Sequence, residues 1–129
     1  MNRFALVSLV LLAVLAAGSV WAHPPKDVKI EFDPESKMLM VTAPHDTKDA
    51  TKHFIGAVEV ELNGEKIIEQ KFKSQVNADM QMAHYWINDA GAGDTLVVTA
   101  ACNIAGKKKA TFEIAKPEAK PAAEPAKTE

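Results

Sequence analysis

The chain has 129 residues and a formal net charge of −2 at pH 7. Arg3 is its only arginine, so the chain lacks the basic face that binds phosphates and the guanidinium groups that recognise bases, and we expect no nucleic acid among its partners. Cys102 is its only cysteine, which excludes a disulfide bond within the chain.

The N-terminal segment, residues 1–22, has the three parts of a secretory signal peptide. A short basic start is followed by an apolar stretch over residues 4–17 and by the tripeptide Val-Trp-Ala at 20–22, with small residues at the two positions that a signal peptidase recognises. The apolar stretch is shorter than the roughly 20 residues that a membrane span needs. We therefore predict cleavage after Ala22, a periplasmic or secreted mature chain, and no membrane insertion.

Alternation of apolar and polar residues with period two predicts seven short β-strands in the mature chain. Asn63-Gly64, between the third and the fourth strand, is a strong signal for a tight hairpin. Seven such strands predict an all-β domain, an immunoglobulin-like antiparallel β-sandwich. In chain order the predicted strands cover residues 28–32, 38–42, 54–62, 65–72, 80–86, 95–103 and 110–114.

These strands predict one domain over residues 23–114, without an internal repeat. Residues 115–129 consist almost entirely of Ala, Lys, Pro and Glu, with no side chain that would anchor a core. We therefore predict that this C-terminal segment is a disordered tail.

Cys102 lies near the end of the sixth predicted strand, on its more apolar face. From this position alone the thiol is a small buried hydrophobic group, an intermolecular partner or a metal ligand. His45 and His53 flank a polar loop over residues 46–52. The position alone favours the first interpretation, and two imidazoles on one loop make the third worth testing.

The fifth predicted strand carries further soft and nitrogen donors, since Met80, Met82, His84 and Trp86 share one of its faces. Methionine thioethers can bind cuprous copper. A methionine pair on a strand is nevertheless typical of core packing, and a lone histidine is typical of a hydrogen-bonded structural residue. We therefore interpret this face as structural.

Two motifs resemble the iron domain of the desulfoferrodoxin and superoxide reductase family. Pro44-His45, followed after a polar stretch by His53-Phe54-Ile55, resembles the family's loop, in which His-Pro precedes a histidine followed by an aromatic residue and isoleucine. Cys102-Asn103-Ile104-Ala105-Gly106 resembles the family's Cys-x-x-His-Gly motif, with Ala105 in place of the histidine. The likeness extends in strand order over residues 28–114.

The resemblance implies a β-sandwich with one iron ion that reduces superoxide to peroxide by one electron. In that family four histidines and one cysteine bind the iron, and a sixth position is open to superoxide. The resemblance carries metal ligation over to His45, His53 and Cys102, and to His23 through its place ahead of the first strand. Ala105 removes the remaining histidine, because a methyl group cannot coordinate a metal.

The family also implies a lysine that attracts superoxide and supplies a proton through water. Lys48 and Lys52, on the loop that carries both histidines, are the candidate catalytic residues. The implied partners are superoxide and an electron donor that the sequence does not identify. We therefore expect an exported iron-binding protein that resembles superoxide reductase, with a site altered at Ala105 and with a longer loop than the family's usual spacing.

Two other functions are consistent with these residues. Cleavage after Ala22 would make His23 the first residue, and its free amine and imidazole would chelate copper together with His45, His53 or His84. The protein would then be a periplasmic copper carrier. The other alternative is a non-catalytic sandwich, an interaction domain that shares only the fold of its relatives.

Overall fold

The structure, a computed structural model, describes residues 23–117. They form seven antiparallel strands and confirm the all-β prediction. The predicted signal peptide, residues 1–22, and residues 118–129 of the predicted tail lie outside the described residues. The strands are β1 (Lys29–Asp33), β2 (Met38–Pro44), β3 (Ile55–Leu62), β4 (Glu65–Lys71), β5 (Met80–Trp86), β6 (Thr95–Cys102) and β7 (Lys107–Glu113).

The strands form two sheets, one in the order β1-β2-β5 and the other in the order β4-β3-β6-β7. Alternate side chains of the central strands point into a single core between the sheets, because successive residues of a strand face opposite sides. Within residues 23–117 no helix is long and apolar enough to cross a membrane. The core side chains with at most 1 % exposure include Leu39, Val41, Val58, Val60, Leu96 and Val98.

The β3–β4 hairpin turns at Asn63-Gly64, as the sequence predicts. Both residues adopt positive φ angles, 51° and 86°, which are the angles of the two-residue turn that matches the twist of paired strands. The Asn63 side chain also accepts a hydrogen bond from the backbone N–H of Thr95 and donates one to Asp94, each at 3.0 Å. The turn is thereby fixed to the start of β6.

Strand β7 begins at Lys107 rather than at residue 110, and β6 ends at Cys102. The chain reverses through Gly106, at φ 92°, and the N–H of Cys102 donates to the Gly106 carbonyl at 2.9 Å. The lysines that open β7 are typical of an edge strand, where charge discourages further pairing. Because these residues are polar, apolar alternation does not reveal the start of this strand.

The face of strand β5 that is buried is the opposite of the one that its sequence suggests. Gln81 is 3 % exposed and faces the core, whereas Met82 and Trp86 are 41 % and 71 % exposed. The expectation that Met82 packs in the core is therefore wrong. The physical reason is that the Gln81 amide finds buried partners, since its Nε2 donates to the carbonyls of Ile55 at 3.2 Å and Ser74 at 2.9 Å.

Replacing a core side chain tests this arrangement. Leu96 is fully buried, so Leu96→Ala is expected to lower the free energy of unfolding by roughly 2–5 kcal/mol through lost burial and a residual cavity. Urea unfolding followed by circular dichroism measures the change. Ile67→Ala is the matched control, because Ile67 is 41 % exposed, and its loss is expected to be several-fold smaller. Equal losses at the two positions would contradict the core.

Candidate metal centre

His45 occupies the first position after β2, and its side chain is completely buried. Its backbone N–H donates to the carbonyl of Asp79 at 2.8 Å, and the N–H of Thr47 donates to the carbonyl of Ala78 at 2.9 Å. These two bonds extend the pairing of β2 with the segment before β5 beyond the end of the strand. The imidazole is consequently held at a fixed place at one end of the sandwich.

The buried side chain of Gln75 orients the His45 ring. Its Oε1 accepts hydrogen bonds from Nδ1 of His45 and from the N–H of Ile55, both at 3.0 Å, while its Nε2 donates to the His45 carbonyl at 2.7 Å. Because the amide nitrogen is used as a donor, Oε1 is the acceptor and His45 Nδ1 carries the proton. Nε2 of His45 is left with the lone pair that binds metals.

The loop between the two histidines folds into a compact turn around Asp49. The backbone N–H groups of Lys52 and His53 donate to the Asp49 carbonyl at 3.1 and 3.0 Å. The Asp49 carboxylate accepts from the N–H and hydroxyl of Thr51 at 2.9 and 2.6 Å, and these bonds lower the pKa of that carboxyl. The turn takes up the length of the loop and returns His53 to the side of His45.

The His53 ring has one nitrogen without a hydrogen-bond partner in the described part of the chain. Its Nε2 is buried and has no hydrogen-bond partner among the described residues. Burial lowers the pKa of His53 below its ordinary value of 6.5, and the neighbouring His45 and His23 lower it further. The folded protein therefore favours the neutral ring, whose unprotonated nitrogen is the form that coordinates a metal.

The structure brings His23 to the same place as the two loop histidines. The ring centroids lie 4.6 Å apart for His23 and His45, 5.0 Å for His23 and His53, and 4.7 Å for His45 and His53. One donor atom from each ring lies within 4.8 Å of the other two. Nitrogen ligands of one ion, each about 2.0–2.1 Å from it, lie some 3–4 Å apart, so a small closure of the rings would suffice.

The His45 ring also contacts the main chain of His23. Nε2 of His45 lies 3.2 Å from the carbonyl oxygen of His23. A neutral Nε2 and a carbonyl oxygen are both acceptors, because the ring proton is already on Nδ1. The contact becomes favourable only when a proton or a metal ion occupies Nε2. The donor set and its unsatisfied atoms therefore fit a transition metal.

Cys102 is not part of the group that the three histidines form. The residue is 9 % exposed at the inward-facing end of β6, paired with Ile55 of β3. Its Sγ lies 3.9 Å from Oδ1 of Asn103 and borders a shallow depression with Phe54 and Phe72. Its role as a ligand stays a prediction from the resemblance.

Asn103 fixes the position of His53, and sequence reasoning missed this. Its Oδ1 accepts from the N–H of Phe54 at 2.9 Å, and its Nδ2 donates to the carbonyl of Lys52 at 3.0 Å. The residues on both sides of His53 are thus bound to the end of β6. A side chain that acts through backbone bonds has no signature in one sequence, and the same holds for Gln75.

Lys48 and Lys52, the candidate catalytic lysines, are exposed on the Asp49 turn. The Lys52 side chain is 83 % exposed and its Nζ lies 4.0 Å from the Asp49 carboxylate. Another lysine, Lys26, pairs with the carboxylate of Asp46, the residue that follows His45, and this pairing is the main reason why the pKa of Asp46 is lowered. The proposed catalytic role of Lys48 and Lys52 stays a prediction.

Ala105 lies where the last turn meets the start of the described chain. The adjacent Gly106 approaches Pro24 so closely that a side-chain carbon at position 106 would lie 2.9 Å from Pro24 atoms. Pro24 follows His23, so the turn that carries Ala105 packs against the residue next to the first histidine of the cluster. A histidine at position 105 is absent, and the three remaining imidazoles define the site.

Comparison with solved structures finds chains with a similar fold. A superoxide reductase (1Fe-SOR) from Giardia intestinalis superposes with a TM-score of 0.54 and 14 % sequence identity, covering 71 % of this chain and 100 % of that chain. The fold is superoxide reductase-like. No family model matches the chain, and no curated protein matches its sequence. The likeness therefore concerns the fold and not the sequence.

The lowered pKa of His53 predicts a pH dependence of stability in the metal-free protein. Just below pH 6.5, the ordinary histidine pKa, His53 binds a proton in the unfolded chain but stays neutral in the folded chain. Its effect on the free energy of unfolding is therefore zero at high pH, and it destabilises the folded protein in acid. The melting temperature of the wild type, relative to His53→Gln, is expected to fall from pH of about 7.5 to about 5. Parallel melting curves across this range would contradict the expectation, and His84→Gln controls for loss of an exposed histidine.

Proposed function

We propose that this protein is an exported metal-binding protein that holds one iron ion with His23, His45 and His53. The observation that carries the proposal is the convergence of three imidazoles around a buried His53 Nε2 that has no partner. Such a buried polar atom costs about 1–3 kcal/mol, which a bound ion would offset. Protonation is the less favourable way to satisfy it, because the pKa of His53 is lowered.

Two observations support iron as the metal. One structure that shares this fold is a superoxide reductase whose name specifies one iron. The motifs around His45 and Cys102 resemble those of the same iron domain. Imidazole donors alone accept iron, copper and zinc, so the metal content has to be measured.

We further propose superoxide as the substrate. A ferrous ion at this site would supply the electron that reduces superoxide to peroxide. The exposed ammonium groups of Lys48 and Lys52, on the loop between two of the histidines, would attract the anion and provide protons through water. The reaction also requires an external electron donor as a second partner.

Metal analysis of the mature protein, isolated from its native compartment, tests the proposal. We expect about one iron per chain in the wild type and in His84→Ala, and a loss of roughly tenfold or more in His53→Ala, since removing even a residue that supports a ligand weakens metal sites by that much. His84 is exposed outside the histidine group and is the matched control. Absence of metal from the wild type would favour the non-catalytic interaction domain. Superoxide consumption by the same samples tests the activity separately.

The role of the thiol is tested by Cys102→Ser. Because the histidines converge without Cys102, we expect the variant to retain its metal. Its visible spectrum after oxidation is compared with that of the wild type, since a ferric ion bound to a thiolate absorbs visible light. Loss of both the band and the metal would contradict a site made of histidines alone.

Copper binding is a second candidate function, and one observation favours it. The main chain of His23 lies at the site, with its carbonyl oxygen 3.2 Å from Nε2 of His45. If the chain is cleaved after Ala22, the free amine of His23 would add a fourth nitrogen, and nitrogen-rich sites favour copper.

An extra alanine placed ahead of His23 in the mature protein separates the two candidates. For an iron site made of three imidazoles, we expect the extension to leave metal content within about twofold of the unextended protein. A copper site that uses the free amine would instead lose most of its affinity for Cu(II). Competition with a chromophoric copper chelator measures that affinity.

A further inference from the structure

The outer face of the three-stranded sheet carries an unusual set of side chains. Every methionine of the chain except Met1 lies there, together with His84 and Trp86. Met38, Met40 and Met82 are 39 %, 37 % and 41 % exposed, and Trp86 is 71 % exposed. We call this surface the methionine face; it comprises Met38, Met40, Met80, Met82, His84 and Trp86.

The strand register places donors of this face next to one another. Met40 of β2 lies directly opposite His84 of β5, and Met82 lies two residues from His84 on the same strand. Directly opposed side chains have Cβ atoms about 4.5–5.5 Å apart, and diagonal neighbours about 7–8 Å. Methionine has three rotatable bonds between backbone and methyl group and can adapt to such distances. Met40, Met82 and His84 can therefore converge on one point above the sheet.

The chemistry of these donors selects a particular ion. Thioether sulfur is a soft ligand that favours Cu(I), whereas Mg²⁺, Ca²⁺ and Mn²⁺ prefer oxygen. Imidazole also binds copper. Trp86 lies two residues beyond His84, opposite Met38, and an indole face attracts a nearby cation.

The charges around the face favour a cation. On β1, Glu31 lies opposite Met40 and Asp33 lies opposite Met38. Hydrogen bonds from Ser36 and from the backbone of Glu35 lower the pKa of Asp33, so its carboxylate is ionised at neutral pH. Lys29 lies farther along β1, opposite Thr42. The edge of the sheet beside Met38 and Met40 is therefore acidic.

We propose that the methionine face binds one cuprous ion through Met40, Met82 and His84. This site is separate from the three-histidine centre, since His84 does not belong to that cluster. It does not depend on which metal the histidines bind.

The tryptophans of the sequence provide a local probe. The chain has two, Trp21 and Trp86, so the chain that begins at His23 has Trp86 alone. Under anaerobic, reducing conditions, one equivalent of Cu(I) is expected to quench Trp86 emission. A chromophoric Cu(I) chelator in competition measures the affinity, and Ag(I) repeats the titration without redox chemistry.

Single substitutions assign the ligands. Met40→Leu and His84→Gln are each expected to weaken Cu(I) binding by roughly tenfold or more. Met80→Leu is the matched control, because Met80 lies four residues from His84, or about 13 Å along the strand, and it is expected to bind as the wild type does. These side chains lie on the outer face, so an unchanged unfolding midpoint verifies that the fold is preserved.

The result that would overturn the proposal is equal Cu(I) affinity in Met40→Leu and Met80→Leu. Loss of Cu(I) binding in His53→Ala would also overturn it, because the ion would then lie at the three-histidine centre. Retention of Cu(I) by His53→Ala, together with its loss in His84→Gln, supports the methionine face whether or not the histidine centre binds iron.

Discussion

The buried amide of Gln75 is the constraint on which the three-histidine cluster depends. It makes four side-chain hydrogen bonds, to the ring and carbonyl of His45, to the N–H of Ile55 and to the carbonyl of Asn77. These bonds join the end of β2, the start of β3 and the segment before β5. A buried amide with all its groups satisfied stabilises one arrangement of these segments, because any other would leave polar atoms without partners. The orientation of the first imidazole follows from this network.

The three histidines illustrate a conflict that burial creates. Each ring is easier to pack when it is neutral, yet neutral rings leave nitrogen lone pairs facing one another and a carbonyl oxygen. Protonation of His53 is opposed first by burial and then by the neighbouring His45 and His23, and these lower the pKa of its ring. A cation shared by the three rings would resolve this conflict, and this is why we place the proposed function here.

Much of the fold was predictable because alternation is a local property. The hairpin at Asn63-Gly64 and the strands around it need only neighbouring residues to be recognised. The pairing of His45 with His53 was also accessible, because both flank one loop. The buried face of β5 could not be predicted in this way, because alternation shows which residues share a face but not which of the two faces is buried. Gln81 is buried through bonds to segments distant in sequence, and the partners of Gln75 and Asn103 are equally remote.

The position of His23 has a consequence for how the chain unfolds. His23 lies ahead of β1, whereas His45 and His53 lie on the loop after β2. An ion shared by all three would tie the segment before β1 to the loop after β2 in the folded chain alone, because unfolding separates the three rings and releases the ion, so it would stabilise the fold by mass action. A chain whose single cysteine cannot form an internal disulfide would thus acquire a reversible cross-link, one whose strength follows the supply of metal rather than the redox state of the compartment.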